Sequence, residues 1–476
     1  MSAGVDREEL RSTAKYLRNV RPVDPDEVYE YLPGQPHPAV VRRALREEAF
    51  DLGLVERDDG TFVPANDDPA PRPGWEPEAF PDAYAYELEG LLVERYGREW
   101  ATGESGDGLR ATIRRLKEEY YQGWDVEYDA DAALGYAVYH LPDFYAAVGY
   151  ALDDLAEREL LPRRLRVLDV GAGTGGPALG LHDYLPDDAL VDYHALEPSA
   201  NADVLERMLG ETRRNFGTTV HRSTAESFDP ESVGEVDLLL FGNVLSELRD
   251  PEATVDRYLD ALAPDGSCLL LAPADLNTST GMRAVERALT PPGGDVGVYG
   301  PDLRLWPDAA PSDRGWSFDE RPSLAVPGFQ ARLDDAERRG PDDEPGTFTN
   351  VDVRFSYALL RTDGRRRVDV RADPDRHARL AEAERHVTNR VNLLAVKLSR
   401  DLSDPKANPL FKVGDGSEEL EAYAVVTGES ALNRDLPDAP YGAVLAFENA
   451  LVLWNDDEGA YNLVCEAETV VDLVAP

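Results

Sequence analysis

A chain of 476 residues holds about two to four domains of ordinary size, each long enough to bury its own core. With 42% hydrophobic residues it is not disordered throughout, and its formal net charge of −43 argues against a general nucleic-acid coat protein. Two cysteines without a CxxC partner, Cys268 and Cys465, exclude a four-cysteine zinc or iron–sulfur site within the chain and argue against a disulfide framework.

Met1 to Asp6 carries no basic region followed by an apolar run, and no stretch approaches about 18 uninterrupted apolar residues. Neither a signal peptide nor a membrane span is therefore expected, and the expected location is cytoplasmic. Residues 1–66 read as a winged-helix-like module. Helical patterns run over Arg7–Arg18, from Asp24-Pro25 to Leu32 and from Pro38 to Leu52, and two β-type runs flank the turn pair Asp59-Gly60. The third helix mixes Arg42, Arg43 and Arg46 with Glu47, Glu48 and Asp51, which favours a docking or structural role over nucleic-acid recognition.

Residues 67–82 are rich in proline and read as a linker. Residues 83–160 are helical, with Gly108–Tyr121 and Ala132–Leu160, the latter broken near Pro142. From residue 161 strands and helices alternate, which predicts an α/β, Rossmann-like fold over 161–373 built on a mostly parallel sheet. A stretch rich in Pro, Gly and Asp, 276–350, reads as a loop-heavy insertion and a candidate lid at the strands' carboxyl ends. Over 374–476 the runs Val391–Leu402, Pro409–Val413, Glu421–Thr427, Ala443–Trp454 and Tyr461–Val474 predict a small C-terminal β-barrel or sandwich, OB-like in one form.

The chemistry concentrates after residue 165. Arg166–Val170 is a short buried strand, and Gly171-Ala172-Gly173-Thr174-Gly175-Gly176 follows it, with a helix opening near Pro177. Such glycines let backbone approach a ligand beside a helix N-terminus, as in dinucleotide folds. Three features break that tie. Asp169 stands just before the loop, where a carboxylate repels a pyrophosphate and suits a cationic amino-acid ligand. A second strand, Leu190–Leu196, ends in Glu197, placed to accept hydrogen bonds from ribose hydroxyls; after a third strand, Glu226 is placed to meet an adenine amine, with Asp229 and Glu231 as alternatives. Val236–Phe241 and Gly266–Pro273 supply a fourth and a fifth strand.

This order resembles the class I S-adenosylmethionine (SAM) methyltransferases. The resemblance implies SAM as cofactor, held by Asp169, Gly171, Gly173, Gly175, Glu197 and Glu226. A narrower resemblance rests on Tyr136–Val148, on Asn243-Val244-Leu245-Ser246-Glu247-Leu248, on Gly315-Trp316-Ser317-Phe318 and on Arg354–Leu360. These blocks look like the small-ribosomal-subunit methyltransferase-like family, known for mitochondrial ribosome assembly factors. That resemblance adds Tyr139 and Asn243 as cofactor-binding candidates and the small subunit with its rRNA as partner. Many members carry a cysteine-ligated iron–sulfur cluster. Here Ser317 takes a cysteine position and 274–350 holds no cysteine, so neither an iron–sulfur cluster nor zinc is expected. His140 replaces the arginine of a tyrosine–arginine–x–proline block.

Arg365, Arg366 and Arg367 follow the turn Thr362-Asp363-Gly364 and are candidate rRNA contacts, with charge protection of an edge strand as the alternative. For catalysis Asn243 and Glu247 are candidates, although methyl transfer asks mainly for in-line alignment. Competing functions are a non-catalytic SAM-binding assembly protein and a winged-helix regulator. Only five lysines occur among 49 basic residues, and with the dense carboxylates this resembles proteins of salt-in halophiles.

Overall fold

The computed structural model describes residues 5–124, 126–301, 303–306, 316–337 and 345–476; Gly315 of the block above lies outside them. Two compact units divide the chain, 1–239 with 325–350, and 240–324 with 351–476.

The first unit opens with α1 (Arg7–Leu17), α2 (Pro25–Tyr31), α3 (Pro38–Glu47), α4 (Ala49–Leu52), β1 (Leu54–Glu56) and β2 (Phe62–Pro64). Side chains of Asp6, Asp24 and His37 accept from the first free N–H groups of α1, α2 and α3, and Pro25 and Pro38 stand where no N–H is needed. Leu10, Leu17, Val28, Val41, Leu45 and Phe62 meet in one core, and Val23 bridges Phe62 beside the hairpin. Two of the three arginines of α3 pair with the module's own acids: Arg46 donates to Glu56 at 2.5 Å and Arg43 to Glu47 at 2.9 Å. Arg43 and Arg46 thus present little net positive charge to a nucleic acid.

The proline-rich stretch is a packed strap and not a free linker. Trp75 is buried on Tyr145 and Tyr184, and its indole N–H donates to the Ala146 carbonyl at 2.8 Å. Then come α5 (Asp82–Tyr96), α6 (Gly103–Gln122) and α7 (Ala130–Ala156). The expected break at Pro142 does not occur: α7 runs straight through it. Proline lacks the N–H that would bond the carbonyl four residues earlier, and the buried Gln330 supplies the missing donor, its Nε2 lying 2.8 Å from the Val138 oxygen. A Gln330→Leu protein therefore leaves that carbonyl unsatisfied, and we expect it to be about 1–3 kcal/mol less stable by chemical denaturation; an unchanged midpoint would show the helix needs no such donor.

The sheet of this unit contains β3 (Arg164–Val170), β4 (Leu190–Leu196), β5 (Phe216–His221) and the start of β6 (Val236–Gly242), in the order β5-β4-β3-β6. β3 with β4 and β4 with β5 are parallel, and Asp169 sits opposite Ala195. Connecting helices are α8 (Gly176–Tyr184) and α9 (Asn201–Leu209). On α8, a Cβ at Gly176 would stand 2.7 Å from Phe144 and one at Gly180 would stand 2.3 Å from the Tyr145 carbonyl, so α8 lies directly on α7. Gly176, which completes the GxGxxG reading, is thus a packing glycine.

The second unit continues with α10 (Pro251–Leu259), β7 (Leu262–Pro273), α11 (Leu276–Leu289), β8 (Gly297–Gly300), β9 (Asp319–Arg321) and β10 (Val353–Arg361). Its part of the sheet runs β6-β7-β10-β8, with β9 also on β10, and β10 is antiparallel to β7, β8 and β9. The insertion is more regular than its composition suggests. Asp275 caps α11 through the Asn277 and Thr278 N–H groups, and the helix Gly328–Asp335 belongs to the first unit. At Ser317, where the resemblance places a cysteine, the backbone carbonyl lies 2.9 Å from the Ser279 hydroxyl and 2.6 Å from the Ser356 hydroxyl; the two hydroxyls are 2.6 Å apart, so at least one donates to the carbonyl and the other donates either to it or to its neighbour. No second strand follows β10: residues 365–371 form a loop, so the edge-strand reading of Arg365–Arg367 falls.

The chain ends in β11 (Arg390–Lys397), β12 (Leu410–Gly414), β13 (Ala422–Val426), β14 (Val444–Asn455), β15 (Ala460–Cys465) and β16 (Val470–Ala475). The last expected run is two strands, because Thr469 accepts from the Glu466 N–H and turns the chain. The order β11-β12-β13-β15-β14 closes through β14–β11 pairing, and β13 lies parallel to β15. That is the connectivity of an OB barrel, with the short helix Asp435–Asp438 between its third and fourth strands. Among the described residues no helix is long and apolar enough to cross a membrane.

Candidate functional site

The glycine loop leaves the carboxyl end of β3. Gly171, Gly173 and Gly175 have φ of +71°, +55° and +98°, a backbone path that side chains with a Cβ rarely follow. The path is pinned to the end of β4, since the N–H groups of Gly171 and Ala172 both donate to the Leu196 carbonyl at 2.8 and 3.0 Å. One residue beyond, Glu197 closes the arrangement. Its Oε2 accepts from the Gly173 N–H at 2.9 Å, and its Oε1 accepts from the Ser199 N–H and hydroxyl at 2.9 and 2.5 Å.

Asp169 lies beneath this loop, fully buried. The Tyr193 hydroxyl donates to its Oδ2 at 2.5 Å, while its Oδ1 has no hydrogen-bond partner among the described residues. Burial, and secondarily the nearby Glu197 carboxylate, push the Asp169 carboxyl up to about 7 against the pull of Tyr193. Burial also raises Glu197, opposed by its hydrogen bonds to Ser199 and Gly173. Two crowded carboxyls, one with an unsatisfied buried oxygen, are electrostatically matched to a cation. SAM carries an ammonium and a sulfonium, so these residues fit it.

The aromatic neighbour of the loop is Tyr136 and not Tyr139. A Cβ on Gly173 would lie 3.6 Å from the Tyr136 ring. Tyr136 itself packs on Tyr128, His140 and Phe144. Tyr139 is occupied on another side of α7, its hydroxyl 3.0 Å from the Lys117 ammonium and its ring beneath it. The helical spacing 136, 140, 144 was the signal that could have found this face. His140 stacks on Phe144 and stands 3.3 Å from the Asn350 amide and 3.7 Å from Asp143.

The other candidates lie on other segments of the chain. Glu226 is exposed in the turn after β5, and Asp229 is committed to capping a one-turn helix through the Glu231 N–H. Asn243 belongs to the second unit, where it has φ of +60° and donates its N–H to the Leu271 carbonyl at 3.0 Å. Glu247 closes the one-turn helix Leu245–Glu247 and is exposed. In the loop after β10, Arg367 is held through its backbone N–H to Tyr299, whereas Arg365 and Arg366 line a pocket.

Residues 168–268 match the family described as "Methyltransferase domain". Residues 7–58 and 381–474 match the N-terminal and C-terminal domains of a domain of unknown function (DUF8157). A search of curated proteins found no match. Among solved structures the chain is similar to PKMT2 from Rickettsia typhi, with 17% identity over 23% of this chain and 21% of that one at a TM-score of 0.20. The chain therefore spans about a fifth of that protein's length. It is also similar to a putative methyltransferase from Thermoplasma acidophilum, with 13% identity, 42% and 70% coverage and a TM-score of 0.27. A third is the plantazolicin methyltransferase BpumL in complex with SAH, with 12% identity, 58% and 98% coverage and a TM-score of 0.29. The matched residues 168–268 read as a methyltransferase domain and include the glycine loop and Glu197.

Proposed function

We propose that this protein transfers a methyl group from SAM to RNA of the small ribosomal subunit. The observation that carries the SAM part is the convergence of Gly173, Glu197 and the unsatisfied Asp169 oxygen at the tips of β3 and β4. The ribosomal part is supported by the blocks Asn243–Leu248 and Arg354–Leu360, and by a C-terminal barrel with OB connectivity, an architecture that binds oligonucleotides.

When bound, SAM supplies an electrophilic methyl on a positively charged sulfur. The chain's own work is to hold and orient. Asp169 Oδ1 is the acceptor for the ammonium, Glu197 accepts from the ribose, and the Gly173 backbone leaves room above β3. The buried position of Asp169 keeps water from competing for that oxygen.

The test is incubation of the purified protein with methyl-labelled SAM and small-subunit RNA from a deletion strain, followed by mass mapping. Label at a defined nucleotide, absent with Glu197→Ala, is the expected result. SAM binding with no transfer to RNA or ribosomal protein would overturn the transferase reading and leave a SAM-binding assembly protein.

A further inference from the structure

A nitrogen or oxygen that carries a hydrogen must lose it on methylation, and a neutral imidazole is the side chain best suited to take that proton near pH 7. His140 stands beside the glycine loop. Its ring lies 5.0 Å from that of Tyr136 and is stacked on Phe144 at 5.0 Å and 16°. Both neighbours touch the loop: a Cβ on Gly173 would lie 3.6 Å from the Tyr136 ring, and one on Gly176 would lie 2.7 Å from the Phe144 Cβ. The spacing 136, 140, 144 puts the three rings on one face of α7. Tyr139 meets the imidazole edge-on at 4.9 Å.

The imidazole is not a core group, because its side chain keeps 31% exposure, against 15% for Asp143. Asp143 sits one turn further along α7. Its Oδ2 is 3.7 Å from His140 Nδ1, and its Oδ1 is buried with no hydrogen-bond partner among the described residues. The Asn350 amide stands 3.3 Å from the same imidazole nitrogen. Asn350 is itself anchored, its backbone N–H donating to Oε1 of the buried Gln330 at 3.0 Å. Two polar groups therefore converge on Nδ1. With a hydrogen on Nδ1 facing the carboxylate and the amide oxygen, which an amide flip presents, the lone pair is on Nε2. A base held in one tautomer by further groups is the general pattern of an activated site. Burial raises the Asp143 carboxyl, opposed by His140 and Asn350, so positive charge arising on the imidazole stabilises its ionised form.

We infer that His140 is the general base of the transfer, with Asp143 and Asn350 as positioning residues, and that the acceptor is an exocyclic amine or a hydroxyl of an RNA nucleotide. The inference rests on the function proposed above and adds the acceptor class. The acceptor's lone pair forms the bond to the methyl carbon, the electron pair of the carbon–sulfur bond stays on sulfur, and the acceptor's proton passes to Nε2. Asp143 balances the imidazolium, which returns the proton to water from its exposed edge. A ring nitrogen that offers only a lone pair needs no such base.

The full-length parent, His140→Ala, His140→Gln and Asp143→Asn are compared, and calorimetry shows SAM affinity within about twofold in all four. The first readout needs no turnover. In protein labelled with 15N-histidine, the His140 signal is identified by its loss in His140→Gln. It shows hydrogen on Nδ1 in the parent, loses that preference in Asp143→Asn, and moves when SAH is exchanged for SAM. Hydrogen on Nε2 in the parent, or a signal indifferent to that exchange, overturns the inference. The second readout is single-turnover transfer of labelled methyl to small-subunit RNA. His140→Ala slows it by about 10²- to 10⁴-fold, and added imidazole restores about tenfold. Asp143→Asn slows it by about tenfold. Full transfer by His140→Ala overturns the inference alone and leaves the transferase reading standing. A parent that binds SAM and transfers nothing overturns that reading and this inference with it.

Discussion

A Glu197→Ala protein binds SAM roughly 10- to 100-fold more weakly than the parent. The change removes a buried acceptor that bridges the Gly173 N–H on one oxygen and the Ser199 N–H and hydroxyl on the other. A hydrogen bond to a charged group contributes about 1.5–3 kcal/mol, which is the range stated. The loss has two parts: the ribose loses its acceptor, and the glycine loop loses the strut that sets its distance from β4. Glu197→Gln separates them, because the amide oxygen can still accept from Gly173 while the charge is gone. We expect it to fall between parent and alanine in calorimetric titrations. Equal affinity in all three proteins would remove Glu197 from the site.

The second large effect is on pH dependence. The Asp169 carboxyl lies at about 7 in the folded protein without ligand, against about 3.9 for an exposed aspartate. The folded state therefore holds a proton that the unfolded state has released. A group raised in this way contributes stability that is present below about pH 4 and is lost as pH rises through 7. Asp169→Asn removes the titration, so the variant gains on the parent between pH 5 and 8 by on the order of 2–4 kcal/mol. SAM reverses the preference, since its ammonium favours the ionised carboxylate. Parent affinity should rise about fivefold from pH 6 to pH 7, with proton release on binding, whereas Asp169→Asn binds more weakly and with a flat profile. Titrations in two buffers of different ionisation enthalpy measure that proton directly. A flat parent profile would place Asp169 in the core only.

The local chemistry of the chain specified most of the domain's frame. Short apolar runs bounded by glycine and aspartate marked β3, β4 and β6, and a glycine at every second position of the loop matched a backbone with φ above zero at all three. These features depend on neighbours a few residues away, so they are legible in one dimension. The C-terminal runs were legible too, while their closure in OB order was not, because strand pairing is chosen by long-range packing.

Tertiary structure decided the rest. Pro142 reads as a helix breaker until Gln330, 192 residues beyond Val138, satisfies the Val138 carbonyl. Tyr139 carried the family resemblance, yet the turn of α7 points Tyr136 at Gly173 and gives Tyr139 to Lys117. The arginine run 365–367 looked like one patch; in the fold Arg365 and Arg366 line a pocket with Arg304 and Arg371, while Arg367 is held by its backbone N–H to Tyr299. In each case a side chain's role depended on which distant group met its unsatisfied charge or hydrogen bond, and that meeting exists only once the chain has folded.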